Sequence, residues 1–428
     1  MTARSPLDEL RWRGLLHDAT EGAEEALAAQ VHSVYAGFDP TAPSLQVGNL
    51  VPVMGLVHVQ RAGHRPIVLV GGGTGLIGDP SGKRRERALQ DRDEILANAE
   101  RFREQLGAFL GFEGVSNPAV MLNNLDWLGE LHALDFLRDV GRHFSVNAML
   151  KKESVRRRIE EDEAGINYAE FSYLLLQSYD FLRLYRDVGC RFQVGGSDQW
   201  GNITGGIELI RRVAGERAYG VVFPLFTTAS GAKFGKTEKG AVWLDPDRTS
   251  PYRFYQFWLN ADDADVGRFL RFFTLLPRDE IEALESGVAT RPEAREAQAR
   301  LAADVTLRVH GEDGLSRARG ASKALFGGDL SGLEPEDIEE IFGDVPSSML
   351  AADRLSGEGL ELAILLEEVG VTTSRGEARR GIEQGGVYLN GERVTDSRRR
   401  VTTRDGLFGC FLVLRRGKKT HHLVRVGS

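Results

Sequence analysis

The chain has 428 residues, 42% of them hydrophobic and 27% charged, a globular composition too long for one core, so two or three domains are expected. No run of 18 apolar residues occurs and the basic start is not followed by an apolar stretch, which argues against a membrane span and a secretory signal. Two distant cysteines, Cys190 and Cys410, fit a reducing cytoplasm and exclude a disulfide framework. The nine histidines lack ligand spacing, so no metal site is expected. The net charge of −8 is uneven: residues 371–428 carry 13 Lys/Arg against 5 Asp/Glu, a net of +8, which leaves −16 on the rest. A basic tail on an acidic body suits a domain that handles a phosphate backbone, although charge alone equally fits a solvated surface.

Along residues 1–230, strand-like runs (VHSVYAGF, PIVLVGG, NPAVMLNN, CRFQVGG, VVFPLF) alternate with amphipathic helical stretches. That alternation predicts a parallel α/β sheet. Residues 231–247 form a Gly- and Lys-containing loop, and 248–325 read as helical. Seven acidic residues, with Pro335 and Pro346, make 326–352 read as a linker. Residues 353–428 read as helix, turn, helix and short strands, a small α+β domain.

The first chemical motif is GFDPTAPSLQVGN, Gly37–Asn49, between a predicted strand and a helix. Glycines and small polar groups before a helix N-terminus suit a phosphate chain. Gln46 and Asn49, three apart, project from one side of the first turn, and Gly48 allows close approach to the backbone. The run GGGTGLIGDPSGK, 71–83, contains a formal GxGxxG, but Asp79–Gly82 interrupt the helix that a dinucleotide fingerprint requires. A nicotinamide oxidoreductase is therefore a distant reading. In EFSYLLLQSYDFLRLY, the spacing of Tyr173, Gln177 and Asp180 places three hydrogen-bonding groups on one face of an apolar helix. If buried, they need partners. QVGGSDQWGN then supplies Gln193, Gly196, Asp198 and Gln199. KFGKT, Lys233–Thr237, sets two lysines three residues apart in a loop, a cationic clamp for phosphates.

Taken together, GFDPTA, SLQVGN, the Tyr173 helix, QVGGSDQWGN and KFGKT resemble the bacterial tyrosyl-tRNA synthetases of class I, almost end to end. The resemblance implies a Rossmann-like catalytic domain, a helical domain and a small RNA-binding domain. It implies activation of L-tyrosine with ATP and magnesium, then transfer to tyrosine tRNA, in a cytoplasmic homodimer with Phe136–Leu150 as a candidate interface. By the same resemblance, Tyr35 and Asp180 hold the tyrosine hydroxyl, and Asp79, Tyr173 and Gln177 hold its ammonium. Gln193 and Gln199 complete the tyrosine site. Gly37, Asp39, Gly48, Gly196, Asp198 and Lys236 meet the nucleotide. Thr41, Gln46, Asn49, Lys83, Arg87, Lys233, Lys236 and Thr237 serve the phosphates. Gln46 and Asn49 stand where the family carries histidines, and a glutamine amide still donates to a phosphate oxygen. The C-terminal segment resembles a small RNA-binding fold, with Arg375, Arg379, Arg380, Arg415, Arg416, Lys418 and Lys419 expected on the RNA backbone. A non-charging RNA-binding paralogue is the alternative, which the tyrosine-site residues and KFGKT oppose.

Overall fold

The computed structural model describes residues 5–81, 91–161, 165–225, 227–229, 235–237, 240–324, 330, 333–343, 345–417 and 420–427. The chain forms two units: Met1–Thr249 with Leu259–Val309, and Ser250–Trp258 with His310–Ser428.

The first unit is built on a six-stranded sheet in the order β1-β6-β5-β2-β3-β4. Strands β2 (Ser33–Phe38), β3 (Arg65–Val70), β4 (Val120–Asn123), β5 (Phe192–Gly196) and β6 (Tyr219–Phe223) run parallel. These are the five strands predicted from the apolar runs. The edge strand β1 (Asp18–Ala19) pairs antiparallel with β6 and was too short for a pattern to reveal. In β3, Pro66–Val70 are all buried, as expected of a parallel strand covered on both faces. The Leu50–Arg61 helix packs on β2, β3 and β5 and is buried almost throughout. Its Pro52 lies in the first turn, where the missing N–H has no intrahelical acceptor to lose. A two-stranded ribbon, β7 (Lys236–Thr237) with β8 (Gly240–Ala241), follows the sheet.

The second unit carries β9 (Ser347–Ala351), β11 (Val387–Leu389), β12 (Glu392–Val394), β14 (Phe411–Arg416) and β15 (Thr420–Gly427), ordered β12-β11-β14-β15-β9. A short pair, β10 (Leu360–Glu361) with β13 (Arg400–Val401), lies outside this sheet. The period of two along β14 divides its side chains between two cores. Leu412 and Leu414 join Leu365, Leu366 and Ile382, from the Leu362–Glu368 and Arg375–Glu383 helices. Phe411 and Val413 join Tyr252, Ala321, Ile338 and Phe342.

Two boundaries differ from the sequence expectation. The 248–325 stretch is helical, but the two units divide it, and the Glu296–Ala324 helix is interrupted at Gly311, whose φ of 71° is left-handed. The 326–352 stretch is no linker where it is described. Pro335–Phe342 is a helix with proline at its start and a Glu334/Asp337 capping box, and Ser347–Ala351 is β9. Three of its acids are ion-paired: Asp337 with Arg317 at 3.1 Å, Glu339 with Arg425 at 2.8 Å and Glu340 with Arg253 at 2.9 Å. Composition counts charges and cannot see their partners.

Candidate active site

Strand order reverses at β2: β3 lies on one side of it and β5, arriving later in the chain, on the other. A crevice beyond the carboxyl ends of strands at such a point is where open α/β sheets bind ligands. A cavity of about 1170 Å³ lies there, lined from the ends of β2, β3 and β5, from Asn124 just beyond β4, and from the Tyr168–Val188 helix. It brings together Tyr35, Gly37, Asp39, Thr41, Gln46, Gly48, Asn49, Asp79, Tyr173, Gln177, Asp180, Gln193, Gly196, Asp198 and Gln199, residues drawn from four separate sequence motifs.

One hydrogen-bonded network crosses this cavity. Tyr173 Oη donates to Asp39 Oδ2 at 2.9 Å, and Thr74 Oγ1 donates to Asp39 Oδ1 at 2.9 Å. Asn124 Nδ2 donates to Thr74 Oγ1 at 2.9 Å and to Asp180 Oδ2 at 2.8 Å, while Trp127 Nε1 donates to Asp180 Oδ1 at 2.7 Å. Both oxygens of Asp180 thus accept, one from the buried Asn124 and one from the half-buried Trp127. Burial pushes its carboxyl up to about 7, against the lowering effect of those two donors. Burial, with Asp180 nearby, also raises the Tyr35 phenol well above its ordinary value. On the other side, Gln199 Nε2 donates to Asp79 Oδ2 at 2.7 Å, Ser81 N donates to Asp79 Oδ1 at 2.8 Å, and Gln177 Nε2 donates to Gln199 Oε1 at 3.3 Å. Three cavity-lining atoms, Tyr35 Oη, Gln177 Oε1 and Gln193 Oε1, are buried without a partner among the described residues. Unsatisfied buried polar atoms are costly, which makes these three candidates for ligand contacts.

Asp39, expected on the nucleotide, is drawn into the network that reaches Asp180, because it sits where β2 ends opposite Tyr173 and Thr74. Gly71 makes the approach possible: a Cβ there would stand 2.0 Å from Asp39 Oδ1. Sequence reading missed Thr74, Asn124 and Trp127. The last two lie in NNLDW, directly after a predicted strand, and a polar pair followed by tryptophan at a strand's carboxyl end was the available signal.

In the run expected to meet the phosphates, Gln46 and Asn49 form a reciprocal cap on the turn before the Leu50–Arg61 helix. The Gln46 side chain accepts from the Asn49 N–H, and Asn49 Oδ1 accepts from Gln46 N at 2.9 Å. This leaves the Gln46 NH₂ group as the donor it can turn toward the cavity. Lys83, Arg87 and Lys233 lie outside the described residues. Lys236 and Thr237 are placed by their backbone in β7. Among the described residues no group of three or more His, Cys, Asp or Glu side chains could hold a metal, and no helix is long and apolar enough to cross a membrane.

Most of the arginines expected on RNA have partners within the second unit. Arg375 pairs with Glu367 at 2.8 Å, Arg379 with Glu361 at 2.8 Å and Arg416 with Glu377 at 2.6 Å. Arg415 departs from expectation: it is buried over the Tyr388 ring at 3.5 Å and donates to Gly417 O, because β14 points it inward. Arg380 is exposed, with no ion pair among the described residues. Lys418 and Lys419 lie outside them.

Comparison with known proteins matches this geometry to a family. Residues 28–327 match the family described as tRNA synthetases class I (W and Y), and residues 337–424 match the tyrosine--tRNA ligase SYY-like C-terminal domain. The second match begins inside the stretch that reads as a linker. The chain is 54% identical to the tyrosine--tRNA ligase of Roseiflexus castenholzii, over 98% of this chain and 99% of that one. It is 52% identical to that of Geobacillus stearothermophilus, over 98% and 99%. A solved, C-terminally truncated mitochondrial tyrosyl-tRNA synthetase of Aspergillus nidulans superposes with a TM-score of 0.68 at 30% identity, covering 76% of this chain and 94% of that one. Matched over nearly its whole length by such relatives, the chain belongs to the class I tyrosyl-tRNA synthetases.

Proposed function

We propose that the chain activates L-tyrosine with ATP, giving tyrosyl adenylate and pyrophosphate, and then transfers the tyrosyl group to the 3′ end of tyrosine tRNA. The observation that carries this reading is the closed polar pocket around Asp180, with the unpartnered Tyr35 hydroxyl buried in the same cavity. A tyrosine side chain entering there would place its hydroxyl between the two, donating to Asp180 and accepting from Tyr35. Asp79, Tyr173 and Gln177 then hold the ammonium, and Gln193 and Gln199 hold the remaining polar edge. The substrate carboxylate is already ionised, so its oxygen attacks the α-phosphate without a base. The new C–O–P bond forms as the α–β bond breaks and pyrophosphate leaves. Catalysis comes from orientation and from donors that strengthen as phosphate charge grows. Thr41, Gln46, Asn49, Lys83, Arg87, Lys233, Lys236 and Thr237 fill that role, and Gly37, Gly48, Gly196 and Asp198 receive the adenosine. Magnesium arrives on the ATP phosphates as part of the substrate.

The enzyme works in the cytoplasm as a homodimer. The exposed apolar side chains of Leu134, Leu137, Val146 and Leu150 support an interface around Phe136–Leu150. The exposed Arg380, with Lys418 and Lys419, leads the contacts to tRNA. Incubation with ATP, labelled tyrosine and tRNA tests the reading. Acid-precipitable tyrosine supports it, whereas RNA binding without any charging would favour the non-charging paralogue that the loss of the first histidine suggests.

Two expectations follow from the pocket itself. The first is a pH dependence. Asp180 titrates near 7 when tyrosine is absent, and the substrate hydroxyl needs its ionised form as acceptor. Tyrosine affinity should therefore be full above pH 7 and fall below it, approaching tenfold per pH unit. Equilibrium titration between pH 8 and 5.5 checks this, and a flat profile contradicts it. The second concerns Gln46. Gln46→Ala should slow adenylate formation about 10- to 100-fold, the worth of one hydrogen bond to a charged group, and leave tyrosine affinity nearly unchanged. Gln46→His should restore or exceed the original rate. Single-turnover kinetics with both variants decides it, and an unchanged rate in Gln46→Ala removes Gln46 from the reaction.

A further inference from the structure

The segment that carries Thr41, Gln46 and Asn49 is held from behind by two amides of the Arg92–Leu106 helix, the buried Asn98 and the half-buried Gln105, neither of which lines the cavity. Asn98, which is 2% exposed, donates from Nδ2 to Pro40 O at 3.1 Å. Two turns on, and so on the same helix face, Gln105 Oε1 accepts from Leu45 N at 2.8 Å, and its Nε2 donates to Ser44 Oγ at 3.1 Å. The buried Ser44 hydroxyl also accepts from Asp245 N at 3.1 Å and donates to Leu45 O at 2.8 Å.

Asp245 ends a stretch that follows the lysine loop and runs beside the same segment. Val47 N donates to Val242 O at 3.0 Å, Leu244 N donates to Leu45 O at 2.9 Å, and Val242 N reaches back to Gly235 O at 2.9 Å. Gly235 fits against this ladder only without a side chain, since a Cβ would meet Val47 Cγ2 at 2.7 Å. The Ser44–Gln105 pair therefore joins three pieces of chain: the Gln46 segment, the stretch that follows the lysine loop, and a helix.

We propose that Gln105 and Asn98 are positioning residues for adenylate formation, which fix the Gln46 segment against the chain that follows the lysine loop without touching substrate. The proposal rests on the adenylation reading above. A rigid amide brace behind a phosphate-handling segment matters because small misplacements of a donor are magnified in the rate. A brace that only supports the fold would act on stability, or on all substrates alike.

The test is single-turnover adenylate formation by Gln105→Leu, with tyrosine affinity measured by fluorescence titration of the same preparation. Adenylate formation should fall about 10-fold, as for one or two lost hydrogen bonds, with tyrosine affinity within about twofold of wild type. Because Gln105 acts through Gln46, adding Gln105→Leu to Gln46→Ala should cost little more than Gln46→Ala alone. Asn98→Ser, which releases Pro40 at a separate point, carries the same expectation and serves if Gln105→Leu does not fold. An unchanged adenylation rate, an equal loss of tyrosine affinity, or losses that simply multiply in the double variant would each overturn the positioning role. A wild-type enzyme that forms no adenylate would instead overturn the functional reading, and this inference with it.

Discussion

Asp180→Ala is expected to bring tyrosine activation down to background and to erase the preference for tyrosine over phenylalanine. The substitution removes the charged acceptor proposed for the substrate hydroxyl, and it takes the Asp180 acceptor away from Asn124 Nδ2 and Trp127 Nε1. A lost bond to a charged group and two donors left without that acceptor together amount to about 3–5 kcal/mol, or roughly 10²- to 10⁴-fold in kcat/KM for tyrosine. Phenylalanine offers no hydroxyl and should lose far less, so the ratio of the two kcat/KM values is the informative quantity. An unchanged ratio in the variant would place the substrate hydroxyl elsewhere.

Removal of residues 325–428, the greater part of the second unit, is the second large effect. A chain ending at Ala324 should still form tyrosyl adenylate at close to the full-length rate and lose tRNA charging by at least about 100-fold, because the cationic surface proposed to meet the RNA backbone is gone. The cut at Ala324 leaves Tyr252 and Ala321 of the second unit's core uncovered, and a cut at Ala351 uncovers more. A chain ending at Ala351 would keep the Pro335–Phe342 helix but strip Phe411, Val413 and Leu423 from the core that buries Ile338 and Phe342. The solved Aspergillus nidulans relative is itself a C-terminally truncated chain. Normal charging by the truncated protein would contradict an RNA-binding role for the tail.

Sequence legibility tracked how local each signal was. Tyr173, Gln177 and Asp180 could be grouped because helical spacing alone puts them on one face, and the structure sets all three at one cavity. The five parallel strands were legible because covered strands are continuous apolar runs. Thr74, Asn124 and Trp127 were not, since their role arises only when the ends of β3 and β4 are laid beside a helix some 50 residues later in the chain. Charge was misleading where pairing decides its meaning. Glu334, Asp337, Glu339 and Glu340 read as a solvated linker but are caps and ion-pair partners. Arg415 reads as an RNA contact but lies under the sheet surface on Tyr388. Gln46 and Asn49 taken alone read as a simple helix cap and only the flanking motif makes them a nucleotide signature; the structure shows an amide pair that caps its own turn.

Tyrosine-dependent exchange of labelled pyrophosphate into ATP tests the central claim most directly. It needs the tyrosine pocket, the phosphate site and the reversible chemical step at once, and it needs no tRNA. The full-length protein with ATP and magnesium should exchange label rapidly when tyrosine is added. It should exchange little with phenylalanine and not at all without an amino acid. Absence of exchange with tyrosine, from protein that still binds tyrosine, would contradict the account and leave the chain as a tyrosine-binding relative that does not perform the chemistry.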